Sequence, residues 1–114
     1  MDAGLLSRFD VLQLAIDSGH DEKALKMALK RYLADAGSLL TKLETALGNN
    51  NILGWHHSAK ALREASLTIT ARKLASLCSE AQAINLLPHV QARAVLYHTQ
   101  KELALLKVEI LTVL

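Results

Sequence analysis

From Leu25 to Leu47 the chain carries Leu25, Ala28, Leu29, Tyr32, Leu33, Ala36, Leu40, Leu43 and Leu47 at three- and four-residue steps, with no proline to interrupt them. That spacing is the apolar stripe of one long amphipathic helix, and such a stripe is stable in water only when other elements cover it. Asp21 stands where an N-cap belongs. Gly48-Asn49-Asn50-Asn51 ends the run, with Asn51 placed to cap the next helix.

The rest of the chain reads the same way. Leu5, Leu6, Phe9, Leu12 and Ile16 mark a short first helix that stops near Ser18-Gly19. Glycine there supplies the left-handed residue at which helices commonly end. After Asn51, Ile52, Trp55, Ala59, Leu62 and Ala65 form a third stripe, with Gly54 an unfavourable residue in its first turn. Ser66-Leu67-Thr68 reads as a short connection. A fourth helix carries Ala71, Leu74, Leu77, Cys78 and Ala81. A fifth starts at Pro88, a residue suited to a first turn, and is expected to bury Val90, Val95, Tyr97, Leu103, Leu106, Ile110 and Leu114. Trp55 and Phe9 are expected in the core near one end.

Composition agrees with packed helices. The 114 residues are 51% hydrophobic and only 4% aromatic, with a single proline, which suits neither a disordered chain nor a many-stranded sandwich. The length is that of one domain, taken as residues 1–114. Short connections between long helices favour antiparallel neighbours. The expected fold is all-α: an antiparallel up-and-down four-helix bundle with a short extra N-terminal helix.

Charge and cysteine usage narrow the function classes. A net charge of +2 gives no bulk attraction to a polyanion, and the basic group Lys23, Lys26, Lys30 and Arg31 is broken by Asp21, Glu22 and Asp35, so no nucleic-acid partner is expected. No apolar stretch reaches the length of a membrane span, and the N-terminus lacks the features of a signal peptide. The lone Cys78 allows no intrachain disulfide and fits a reducing, cytoplasmic setting. Its place on an apolar stripe marks it as a buried thiol rather than a nucleophile. Neither a phosphate-binding glycine loop nor paired carboxylates stand out, His20, His89 and His98 are scattered, and no cofactor is expected.

From Ala59 to Gln82 the sequence reads A-K-A-L-R-E-A-S-L-T-I-T-A-R-K-L-A-S-L-C-S-E-A-Q. It resembles the core of histidine phosphotransfer (HPt) domains, A-H-x-L-K-G-S-(S/A)-x-x-L-G-A-x-x-L-x-x-L-C-x-x-L-E. Ala59, Leu62, Ser66, Ala71, Leu74, Leu77 and Cys78 match outright. Upstream, Tyr32-Leu33, Leu39-Leu40, Leu43 and Ala46-Leu47 resemble the second helix of that family, at the usual distance from the active position.

In this register Lys60 stands at the phosphoacceptor histidine, Arg63 at the family's lysine and Glu64 at its glycine. The resemblance implies a two-component signalling module whose partner is a response-regulator receiver domain or a sensor histidine kinase. The substitution implies lost relay chemistry, because a lysine side chain is an ammonium near neutral pH and holds no free lone pair to attack an aspartyl phosphate. Arg63 keeps positive charge near the site, whereas Glu64 adds bulk and negative charge against an acidic receiver pocket.

His56 and His57 lie one turn before Lys60 on roughly the same face. His57 is the fallback acceptor, since H-S-A-K would put Lys60 three residues on. That register, however, moves Ala59 and Leu62 out of phase, and a solvated polar turn is the simpler reading. A metal pair is disfavoured because adjacent helical side chains diverge by about 100°.

Three functions follow. In the first, which the resemblance implies, the chain is expected to be a pseudo-HPt decoy or scaffold that binds a receiver through Lys60, Arg63, Glu64, His56 and His57 without enzymatic activity. Alternatively it is a stoichiometric phosphocarrier using His57. In the third reading it is a structural bundle, with Leu103-Ala104-Leu105-Leu106, Val108, Ile110, Leu111, Val113 and Leu114 offering a C-terminal helix for homodimerisation.

Overall fold

A computed structural model describes residues 8–17, 19–87 and 90–114. It contains five helices, α1 (Val11–Asp17), α2 (Glu22–Gly48), α3 (Ile52–Thr68), α4 (Arg72–Gln82) and α5 (Val90–Val113), with no strand among the described residues. This is the expected four-helix bundle with a short N-terminal helix. α2 packs on α3, α3 on α4, α4 on α5, and α5 closes back on α2, while α1 lies against α2. Leu5 and Leu6, expected in the first helix, and Pro88, expected to open the fifth, lie outside the described residues.

The helix boundaries follow from capping. Asp21 accepts hydrogen bonds from the backbone N–H groups of Lys23 and Ala24 at 3.0 and 3.2 Å, satisfying donors that the start of α2 would otherwise leave open. Asn51 does the same for Gly54 at 3.0 Å. A Cβ on Gly54 would come within 2.7 Å of the capping amide of Asn51, so this glycine makes room for the cap.

Three helices end in the same way. After α1, Gly19 donates to Ile16 and His20 to Ala15. After α2, Asn50 donates to Leu47 and Asn51 to Ala46. After α3, Thr70 donates to Leu67 and Ala71 to Ser66. These paired bonds are the Schellman pattern, which needs a left-handed residue. Gly19, Asn50 and Thr70 fill that position at φ 68°, 54° and 62°. Thr70 is β-branched and pays a steric cost there. Its hydroxyl is engaged by Asp10, whose N–H donates to Oγ1 at 2.5 Å, tying the segment before α1 to the α3–α4 turn.

That turn corrects one boundary. Ser66-Leu67-Thr68 is helical, and the connection is Ile69-Thr70-Ala71. Ala71 therefore caps α4 from outside rather than lying within it.

The core contains Leu25, Leu29, Tyr32, Ala36 and Leu43 of α2, Trp55, Ala59 and Leu62 of α3, and Leu74, Cys78 and Ala81 of α4. Phe9 is buried as expected, although it precedes α1. The expected stripes fail at four places. Ile16 is exposed and Leu14 takes its buried place, and Ala28 faces solvent. On α5, Val90 and Tyr97 are exposed, whereas Ala92, Thr99, Glu102, Leu103, Leu106 and Ile110 face inward. Two polar residues on the buried side, and apolar residues on both sides, hide the phase of this helix from periodicity.

Glu102, only 3% exposed, is held by Arg8, with Nε 3.3 Å from Oε2, and by Lys73 at 3.7 Å. Arg8 also reaches Glu109 through its backbone N–H at 2.8 Å. Paired charge is what makes a carboxylate tolerable at this depth.

Candidate functional site

The site is the outer face of α3. Trp55, Ser58, Ala59, Leu62 and Ser66 turn inward, and two buried hydrogen bonds fix the rotation of the helix. Trp55 Nε1 donates to the Ala81 carbonyl at 2.7 Å, and the hydroxyls of Tyr32 and Ser66 meet at 2.9 Å. With the inward side held by α4 and α2, Lys60 is left exposed on the outer face, near the middle of the helix.

At 100° per residue, the candidates fall within about 60° of Lys60 on either side. His57 and Glu64 lie towards α2, and both are exposed. His57 borders a shallow groove between α2 and α3 with Thr41, Lys42 and Thr45. His56 and Arg63 lie towards α4 and are half-buried. His56 Nε2 is 2.5 Å from the Ile84 carbonyl, so this ring braces α3 against the α4–α5 connection. Arg63 Nε is buried and makes no hydrogen bond among the described residues. The guanidinium acts electrostatically on Cys78, opposing the larger effect of burial, which pushes that thiol up to about 12. Cys78 is thus a buried protonated thiol rather than a nucleophile.

Two further residues belong to this face. Leu53 and Leu67 are 78% and 52% exposed, seven residues before and after Lys60. Seven residues is two helical turns, so both lie in line with Lys60 and bracket the charged centre with apolar surface. Their spacing was the available signal, but it becomes informative only once the outward side of α3 is known.

The face is an open surface rather than a cavity. A central ammonium, a second cation at its edge, one carboxylate and apolar ends suit a protein surface bearing carboxylates. Among the described residues no group of three or more His, Cys, Asp or Glu side chains is arranged to hold a metal ion. Among the described residues no helix is long and apolar enough to cross a membrane.

Comparison with known proteins agrees with this fold. No protein-family model matches the chain, and no curated protein matches it in sequence. Among solved structures, it is similar to histidine-containing phosphotransfer protein B (HptB) from Pseudomonas aeruginosa PAO1, with a TM-score of 0.83 over 92% of each chain and 21% sequence identity. The chain therefore has the fold of a histidine phosphotransfer protein, with a lysine at the centre of its exposed α3 face.

Proposed function

We propose that this chain is a two-component signalling module that binds a receiver domain, or the kinase that serves one, without relaying phosphate. The observation that carries the reading is Lys60, exposed at the middle of α3 in the register where the HPt pattern has its phosphoacceptor histidine. The core residues that define this register, Ala59, Leu62, Leu74 and Cys78, are all buried, in keeping with the alignment. HptB, the neighbour of like fold, is named as a histidine-containing phosphotransfer protein.

An ammonium cannot accept the phosphoryl group, but it pairs well with the carboxylates of a receiver pocket. Occupying that pocket blocks the true relay partner, which makes the chain a decoy or a scaffold. Leu53 and Leu67 supply apolar contact on either side, and Glu64 weakens the docking.

A second reading rests on His57, which is exposed one turn from Lys60 and would make the chain a phosphocarrier. Incubation with a panel of phosphorylated receivers separates the two. We expect no label on the wild type, label on Lys60→His, and loss of receiver binding in Lys60→Ala. An acid-labile, alkali-stable phosphate on the wild type that disappears in His57→Ala would establish the second reading instead.

A further inference from the structure

The outer face of α5 carries a second surface, separate from the α3 site. Val90, Ala94, Tyr97, Lys101, Ala104, Val108 and Leu111 are all exposed and follow one another at steps of four and three. The mean step is 3.5 residues, the repeat with which one helix presents a continuous seam to another. The seam runs for about 32 Å at 1.5 Å per residue. Val90 is 84% exposed and Val108 63%, and Leu105 widens the seam at its side. The inward residues Leu103, Leu106 and Ile110 complete the bundle without it.

Charge decides what this seam can accept. Arg93, Lys101 and Lys107 are exposed on or beside it. The carboxylates of α5 are turned away, Glu102 and Glu109 being held by Arg8. From neighbouring elements, Glu44 of α2 is bonded to Gln100 at one edge. Glu80 of α4 borders the groove beside Ala94 and His98 at the other. Lys101 is the fourth of the seven seam residues. A two-fold pairing of full overlap, parallel or antiparallel, therefore brings Lys101 against its own copy, where like charges repel in a desolvated seam. A second copy of the chain is a poor occupant.

We infer that the outer face of α5 docks an amphipathic helix of a partner protein, with apolar residues at heptad spacing, acidic flanks, and a carboxylate opposite Lys101. This surface does not depend on the α3 reading.

The test uses the full chain and a fluorescein-labelled helical peptide of four heptads, with leucine and isoleucine at the seam, glutamate at the flanks, and one glutamate facing Lys101. A second peptide carries lysine at every glutamate position. Anisotropy should show binding of the acidic peptide only, weakened about tenfold or more by Val108→Glu or Lys101→Glu and by added salt. Lys60→Ala should leave it unchanged. Both substituted α5 side chains are exposed, and circular dichroism checks that the variants fold. Equal binding of both peptides, or no binding of the acidic one, overturns the proposal. So does sedimentation of the chain as a micromolar dimer that Val108→Glu converts to a monomer.

Discussion

The hydroxyls of Tyr32 on α2 and Ser66 on α3 form a hydrogen bond of 2.9 Å inside the core, where both residues are buried. Either residue alone would leave the other with a buried polar atom lacking its partner, so the two are expected to act as a pair. Tyr32→Phe should cost about 1 kcal/mol and Ser66→Ala about 1–3 kcal/mol. The double variant should cost less than the sum of the two, as a double-mutant cycle of urea unfolding would show. Strict additivity would mean that the two hydroxyls do not depend on one another.

Gly37 and Gly54 both lie within helices, yet alanine should act differently at each. At Gly37 a Cβ meets nothing within 4 Å, so Gly37→Ala should stabilise by about 0.5–1 kcal/mol and raise Tm by several degrees. Gly54→Ala must displace the Asn51 cap, whose loss costs about 1 kcal/mol, and should bring no gain. Thermal unfolding of the two variants side by side checks the contrast.

Alkaline pH should weaken the fold in two stages. Burial raises the Cys78 thiol to about 12 and moves the Tyr32 hydroxyl upward as well. In the unfolded chain these groups lose their protons near about 8.5 and 10. Above those values the folded state binds more protons than the unfolded one, so stability falls as pH rises, first from about pH 9 and then more steeply above about 10. Urea midpoints across this range should decline less in Cys78→Ala at the first stage and in Tyr32→Phe at the second. Below pH 8 the thiol should react with a disulfide reagent only as fast as the chain opens.

Arg8 should matter more than an ordinary surface cation. Removing it in Arg8→Ala leaves buried Glu102 with Lys73, at 3.7 Å, as its one remaining ion-pair partner among the described residues, and should cost about 1–3 kcal/mol. Arg8→Ala combined with Glu102→Leu should recover much of that loss, because the apolar replacement removes the unpaired charge. A loss unchanged by Glu102→Leu would show that Arg8 acts through Glu109 instead.

Where a residue type has a single physical use at its position, the fold was legible. Asp21 and Asn51 cap helices because few other side chains can, and Gly19 ends α1 because the left-handed region admits it freely. The end of α3 was not legible, since Thr70 occupies the position where a glycine or asparagine would have signalled the stop. The rotation of α5 was hidden by Thr99 and Glu102, two buried polar residues: Thr99 donates to the Val95 carbonyl of its own helix, and Glu102 is paired with Arg8 and Lys73 from distant parts of the chain. That Lys60 faces outward was legible because Ala59 and Leu62, on the apolar stripe of α3, mark its inward side. Leu53 and Leu67 could not be assigned to this face from the sequence, because exposure is a property of the assembled bundle.

The order of packing around the bundle has a consequence for assembly. α3 lies between α2 and α4, and α5 also lies between α4 and α2, so α3 and α5 occupy diagonal corners with their outer faces pointing in opposite directions. A molecule seated on one face does not shadow the other. Two visitors could be held at once, one on each side, and each would meet the other at a raised local concentration without any change in the shape of the bundle between them.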